Sequence, residues 1–451
     1  MSGLNRSDFG RAAQAQRGVA TLVVVMVLFF IVSLVAAYTS RNMIFEQRTS
    51  ANQYRSTQAI EAAEAGVEWA LAMLNHQRLT ATCTNSTLVA DTTFRERYLI
   101  TNAVTGGLTP KTMTGGGTLS SMCVLNGTQW DCSCPADSSP SLTAPSGAGV
   151  NPAFRIRFQQ IGLVPATLPP SQPGVIRLQV VGCTRLDIAC LDFDGQGVTN
   201  EGRAVVTQLV ALTGNVASAP AAALLARGNV DFGSAVAAIY NTSSAGTGIT
   251  VHTGGTINGG TPINVANLVL RSQPGTPAAQ SLVASDPALN LVALTPFSAE
   301  DRMFASVFNM TASTFQSQPA AVAVPCTAGI CTAAQVRTVV AMNPGRPIWV
   351  QGDLSVTTAG DIGSAAAPVL VVVNGNLTFP VNATVYGLVY LRTANWATSG
   401  TGGQIQGAAV AEGEISGSGS PTIIHDREVL TRLRGSVGSF VRAPGSWKDF
   451  R

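Results

Sequence analysis

Residues 19–37, "VATLVVVMVLFFIVSLVAA", are predominantly apolar and carry no charge, and Tyr38 extends the run by one. An α-helix rises ~1.5 Å per residue, so about 20 such residues cover the ~30 Å of a bilayer's hydrocarbon. Arg6, Arg11 and Arg17 precede the run against one acid, Asp8, which sets the N-terminus on the cytoplasmic side. A cleavable secretory signal would have a shorter apolar core and a small-x-small site at its far end. Only the pair Ala36-Ala37 approaches such a site.

The text does not break after the apolar run. Residues 39–77 hold no Pro, a single Gly (Gly66) and many helix formers. Ile44, Tyr54, Ile60, Val67, Leu71 and Leu74 recur at spacings near three, four and seven, which predicts an amphipathic helix. One continuous helix through residues 19–77 follows, with 19–38 in membrane and the rest beyond it. Glu61, Glu64 and Glu68 share a stripe. A di-metal bundle would need His partners on facing helices, and only His76 is near, so the stripe reads as a solvated face. Ala59, Ala62, Ala63, Gly66 and Ala70 make the other side small enough for a sheet or helix to approach closely.

Charged residues are 11% of the 451, against about 25% in an ordinary soluble domain. Net charge is +3 with no basic cluster beyond the leader, so nucleic acid is not an expected partner. Cys83, Cys123, Cys132, Cys134, Cys183, Cys190, Cys326 and Cys331 are an even number in a chain that reads as exported, so disulfides are expected. Residues 83–153 read as long loops tied down by the first four, in an undetermined pairing. Cys183 and Cys190 would staple a hairpin, and Cys326 and Cys331 a small loop. Cys132-x-Cys134 is too tight for a zinc hook.

Three segments alternate with period two: Phe154, Ile156 and Phe158; Ile176, Leu178 and Val180; and Ala204, Val206 and Gln208 against Val205, Thr207 and Leu209. They predict an antiparallel sheet covered on one side, and the long helix supplies the cover. Between the last two, "LDFDGQGVTNE" holds Asp192, Asp194, Gly197, Asn200 and Glu201. A calcium loop is one reading, but the EF-hand spacing fails and an Asp/Gly turn fits better. From about residue 220, short apolar runs alternate with Gly-rich turns, and "IWVQGDLSV", "LVVVNGNLTF" and "VAEGEISGSG" echo one another. Such repetition predicts stacked coils of a parallel β-helix or related solenoid over 220–426. A helical insertion starting at Ser298 interrupts them. Residues 427–451 read as a short helix and an extended end, with Trp447 and Phe450 as docking anchors. The expected class is α+β: a long helix on a small antiparallel sheet, then a mainly-β solenoid-like domain.

The leader ending in Arg17-Gly18 before a hydrophobic helix resembles a type IV prepilin. "QRGVATLVVVMVLFFIVSLVAA" with "EQRTSANQYRSTQAIEAAEAGVEWAL" is similar to the N-terminal region of PilX-type minor pilins. In these an acidic–Arg pair (Glu46, Arg48), an Asn (Asn52) and an alanine-rich core (Ala59, Ala62, Ala63, Glu64, Ala65) recur. "VRAPGSWKDF" resembles the ending of large proteobacterial PilX-like proteins. The resemblance implies a leader over 1–18, cut by the prepilin peptidase after Gly18, with Val19 then N-methylated. It implies a pilin head over 78–214, and a membrane and assembly helix that includes Val23, Phe29 and Phe30. Major pilins usually place Phe first and Glu fifth after the cut; here Val19 and Val23 stand there. A carboxylate in the membrane is expensive unless paired, and its absence implies a subunit near the tip or in the initiation complex. Implied partners are other minor pilins, the major pilin, the prepilin peptidase, the inner-membrane assembly platform and a large tip adhesin. The implied location is a single pass of the inner membrane with the bulk periplasmic, and then the pilus fibre.

Catalytic residues, metal and cofactor are expected to be absent. The competing reading is a signal-anchored envelope protein whose solenoid binds or cleaves glycans. Its candidates are Glu412 and Glu414, pointing the same way on one strand, with His252 and His425 as the histidines of that region.

Overall fold

The computed structural model describes residues 15–146, 150–161, 174–195, 201–233, 237–257, 268–290, 298–379, 382–393, 395–398, 402–417, 419 and 421–449. Most of the leader and Phe450 lie outside them. Helix α1 runs unbroken over Ala15–Leu74. From Ala20 to Thr57 every side chain is exposed, so the amphipathic stripe is corrected at its start. Ile44 is 48% and Tyr54 64% exposed, because the sheet reaches the helix only at Arg55, whose carbonyl lies against Gly202. Farther on, Ala59, Ala62, Ala63, Val67, Ala70 and Leu74 are buried, and Glu61, Glu64 and Glu68 face away. The small side of the helix is used for close approach. A Cβ on Gly182 would stand 2.2 Å from the Ala59 carbonyl and 2.5 Å from the Ala63 nitrogen.

Helix α2 (Phe94–Tyr98) opens with a capping box between Thr93 and Glu96. A hairpin of β1 (Leu99–Thr101) and β2 (Leu108–Pro110) follows. Next come β3 (Ser120–Asn126), β4 (Gln129–Ser133), β5 (Ala153–Gln159), β6 (Val175–Cys183) and β7 (Arg203–Gly214). The loop reading of 83–153 is corrected at α2 and at all four strands, β1 to β4. Gly127, at φ 64°, provides the positive φ that a two-residue hairpin turn requires. Cys123 and Cys132 stand directly opposite across that hairpin and are bonded. Cys83–Cys134 ties the segment after α1 to the end of β4, Cys183–Cys190 staples the β6–β7 connection, and Cys326–Cys331 closes a small loop.

The rest of the chain is a stack of coils joined by parallel pairing. Its first strands are β8 (Leu224–Ala226), β9 (Ala237–Tyr240), β10 (Val251–Thr253), β11 (Leu268–Arg271) and β12 (Leu282–Val283). After α3 (Ala299–Phe308) and α4 (Ala312–Gln316) come β13 (Val322–Val324) and β14 (Ile330–Thr332), then α5 (Ala333–Met342). The coils resume with β15 (Ile348–Val350), β16 (Asp353–Ser355), β17 (Val369–Val373) and β18 (Leu377–Thr378). They end with β19 (Ala383–Leu391), β20 (Asn395–Thr398), β21 (Gly403–Ala411), β22 (Glu414–Gly417) and β23 (Thr422–His425). Strand β21 pairs with β23 through residues 404–407 and with β8 through 409–411. The first coils in sequence therefore stack beyond the last ones, and α3 and α4 lie on the return path.

Register explains the unbroken apolar runs. Ile348, Val371, Val389, Ala409, Leu224 and Val251 are consecutive partners and form one inward column. One place along, Trp349, Val372, Tyr390, Val410 and Leu225 form an outward column beneath Phe304 and Phe308 of α3. Strands buried on both faces lose the polar alternation. The "NGN" turn stacks on the "QGD" turn before it: a Cβ on Gly375 would stand 2.3 Å from Asp353 Oδ1 and 2.9 Å from the Asp353 nitrogen.

Helix α6 (Arg427–Ser436) leads into β24 (Gly438–Arg442), which pairs with β7. The extended end is therefore an edge strand of the head sheet, whose order is β24-β7-β6-β5-β3-β4. The anchor role of Trp447 is corrected: it is 45% exposed, and the tail is held by Lys448 pairing with Thr207 and by Ser446 at Leu209.

Gly407 has φ 141°, and a Cβ there would meet the Gly387 carbonyl at 1.9 Å. Gly407→Ala should cost at least about 2 kcal/mol, seen as a lower Tm. Gly115→Ala, with nothing within 4 Å, should leave Tm unchanged.

Candidate assembly helix and its closure onto the head

The helix presents two chemistries in series. Residues 20–40 carry no charge; Val23 is 52%, Phe29 71% and Phe30 70% exposed. Gly18 and Val19 lie in the helical backbone. The first charges are Arg41, whose guanidinium stands 5.6 Å from the Phe45 ring centroid, then Glu46 and Arg48. One helix of the described chain is long and apolar enough to cross a membrane.

Two buried polar residues that sequence reasoning did not single out fix the far end of this helix. Asn75 donates Nδ2 to the Leu71 carbonyl at 3.0 Å and to the Phe440 carbonyl at 2.8 Å, and accepts the Phe440 N–H at 2.8 Å. Arg95 on α2 donates Nε to the Leu74 carbonyl at 2.8 Å and Nη1 to the Gly345 and Gly438 carbonyls at 2.9 and 3.2 Å. Its guanidinium packs 4.9 Å from the Phe440 ring centroid. One side chain thus joins the helix end, the coil stack and the last strand. Burial, and then the charge of Arg346, lower the Arg95 pKa to about 9, so the group stays protonated at neutral pH. Arg97, also buried, donates to the carbonyls of Leu79, Thr80 and Cys134. The residue types in "FRERY" are a signal of sorts, but the Gly438 partner is 343 residues away in sequence.

The candidates for chemistry are not brought together. Glu412 is 3% exposed, accepts from Tyr390 Oη at 3.1 Å and pairs with Arg392 Nε at 3.0 Å. Glu414 begins the next strand, is exposed and accepts from Asn229 at 3.1 Å. The expected carboxylate pair is corrected: a turn separates the two, and burial commits Glu412 to its ion pair. His252 Nε2 lies 2.6 Å from Asp286 Oδ2, and this hydrogen bond is the main cause holding the Asp286 carboxyl below its ordinary range. His425 Nε2 lies 3.0 Å from the Pro220 carbonyl, and burial lowers its pKa. In the calcium candidate, Asp194 pairs with Arg157 at 3.4 Å and Arg203 donates to the Asp192 carbonyl; Gly197 and Asn200 lie outside the described residues. Among the described residues no group of three His, Cys, Asp or Glu is placed to hold a metal ion.

Residues 17–68 match the PilX N-terminal family. That segment, the first part of α1, is what the chain shares with PilX-type pilin proteins. No curated protein matches it. Among solved structures, an ice binding protein from an Antarctic Biological Consortium is similar over 47% of this chain and 92% of its own, at 14% identity and TM-score 0.22. The competence-associated pilin ComZ from Thermus thermophilus is similar over 88% and 97%, at 10% identity and TM-score 0.20. The PilX-type segment covers the membrane-length half of α1 and most of the half that packs on the head.

Asn75→Ala would leave the Phe440 N–H and carbonyl unpaired in a buried place, at a cost of about 1–3 kcal/mol. Trypsin should then release the peptide after Arg434 faster than from the unaltered chain, alongside a lower Tm.

Proposed function

We propose that this chain is a minor subunit of a type IV pilus, inserted through α1 to initiate or cap the filament. The observation that carries the reading is the exposure of every side chain from Ala20 to Thr57 on a helix whose far end is locked into a closed head. In the membrane, lipid covers the apolar part; in a filament, neighbouring helices do. Transfer between the two needs no chemistry from this chain.

The prepilin peptidase cuts after Gly18, and Val19 becomes the methylated first residue. Val23 then stands where a carboxylate would meet a neighbour's amine. Without that carboxylate the chain occupies a place where one such contact is dispensed with, at the tip or in the initiating complex. Its partners are other minor pilins, the major pilin, the inner-membrane assembly platform and a tip adhesin. Before assembly the N-terminus is cytoplasmic and the bulk periplasmic, as the arginines of the leader favour.

The coil stack is the part displayed for adhesion or partner contact. Where α3 and α6 stop covering the long sheet, Tyr386, Gln406, Ile424, Tyr240 and Arg271 occupy one register position on consecutive strands, all at least partly exposed.

Mass spectrometry of the N-terminus tests the reading. The expected peptide begins at N-methylated Val19, and only in cells with an active prepilin peptidase. An intact leader, or a terminus near Ala37, would overturn it.

A further inference from the structure

A cleft of about 670 Å³ opens where the head meets the coil stack. Its charged lining is Arg78, Arg95, Lys111 and Arg346 against a single acid, Glu96. That acid is already engaged: its carboxylate lies 3.5 Å from Arg78 and closes the capping box with Thr93. Lys111 donates to the Glu96 backbone carbonyl, not to a carboxylate. Arg346 donates Nε to the Ala320 carbonyl at 2.9 Å and Nη1 to Asn343 Oδ1 at 2.6 Å. Its Nη2 has no partner among the described residues, and neither Arg346 nor Lys111 has a carboxylate within ion-pair distance there. The charges of Arg95 and Arg346 oppose each other, a repulsion that an oxyanion between them would relieve.

The walls narrow the ligand class. Ile100, 53% exposed, and the partly exposed Val340 line the same cleft. The partly exposed Thr101 of β1 lines it too, while Leu99 between α2 and Ile100 is buried in the head core and no residue of β2 takes part in the lining. The β1–β2 hairpin is a two-stranded sheet, so β1 pairs with no strand on its other edge among the described residues, although its Leu99 N–H is taken by the Arg95 carbonyl. An open strand edge takes an extended peptide, and side-chain pockets beside it give specificity. Guanidinium and ammonium groups without carboxylates take a carboxylate.

We propose that this cleft binds a carboxylate carried on an extended, apolar-flanked segment of a second protein. The reading goes beyond filament insertion and does not depend on it, since the cleft is complete within one chain.

Isothermal titration of the detergent-solubilised full chain tests it, with acetyl-Leu-Val-Leu as the free acid, the same peptide as the amide, and sulfate as probes. The free acid should bind at least about tenfold more tightly than the amide or sulfate, reflecting one charge-assisted pairing plus apolar contact. Arg346→Gln should weaken the acid by about tenfold or more while leaving the amide unchanged. If that variant fails to fold, Lys111→Gln, which removes only a bond to a carbonyl, carries the same expectation. An amide that binds as well as the acid would overturn the proposal. Sulfate binding as tightly as the acid would also overturn it, leaving a simple ion site. So would folded variants whose affinity for the acid is unchanged.

Discussion

The apolar half of α1 rests on nothing among the described residues of its own chain, and the folded part of the molecule begins only beyond it. Each Leu, Val or Phe kept in water forfeits about 1.5–3 kcal/mol of burial. Over residues 22–35 the sum is on the order of tens of kcal/mol, more than a domain's whole stability. Lipid or other helices must take this surface. Because the helix continues without a break into the head, whatever holds its first half also positions the folded part.

Strand β24 closes the head by pairing with β7, so the coil stack is an insertion between these two strands. Gly438 pairs directly with Gly214, which brings both ends of the inserted domain to one place. Asn75 holds β24 from the helix end, and Arg95 holds the helix end, β24 and the Gly345 turn of the stack together. A pull on α1 therefore reaches the stack through buried hydrogen bonds rather than through a linker. A guanidinium suits this junction because its fork of donors can satisfy several carbonyls that converge on one buried point.

The long helix, the three central strands of the head and the coil echo were legible because each rests on local periodicity. The β3–β4 hairpin was missed: its turn is Gly127-Thr128, and the surrounding Gly, Thr and Ser made the stretch read as loop. The pairing of Cys83 with Cys134, the β24–β7 ladder and the Arg95 contacts depend on residues brought together only by the finished fold. Nothing local to "GSFVR" distinguishes a docking tail from an edge strand. The order of coils was hidden for the same reason: β21 has β8 as a neighbour, although the two lie at opposite ends of the stack's sequence. Glu412 and Glu414 looked like a pair because spacing along a sequence does not show that a turn comes between them.

The most direct test of a filament subunit is where the folded chain resides. Pili sheared from cells and washed free of membrane can be probed with an antibody against the coil stack, beside the membrane fraction of the same cells. Insertion through α1 predicts the processed chain in the sheared fraction, at far lower abundance than the major pilin, and labelled at filament ends. A chain confined to the membrane fraction, while the pili are otherwise intact, would contradict it.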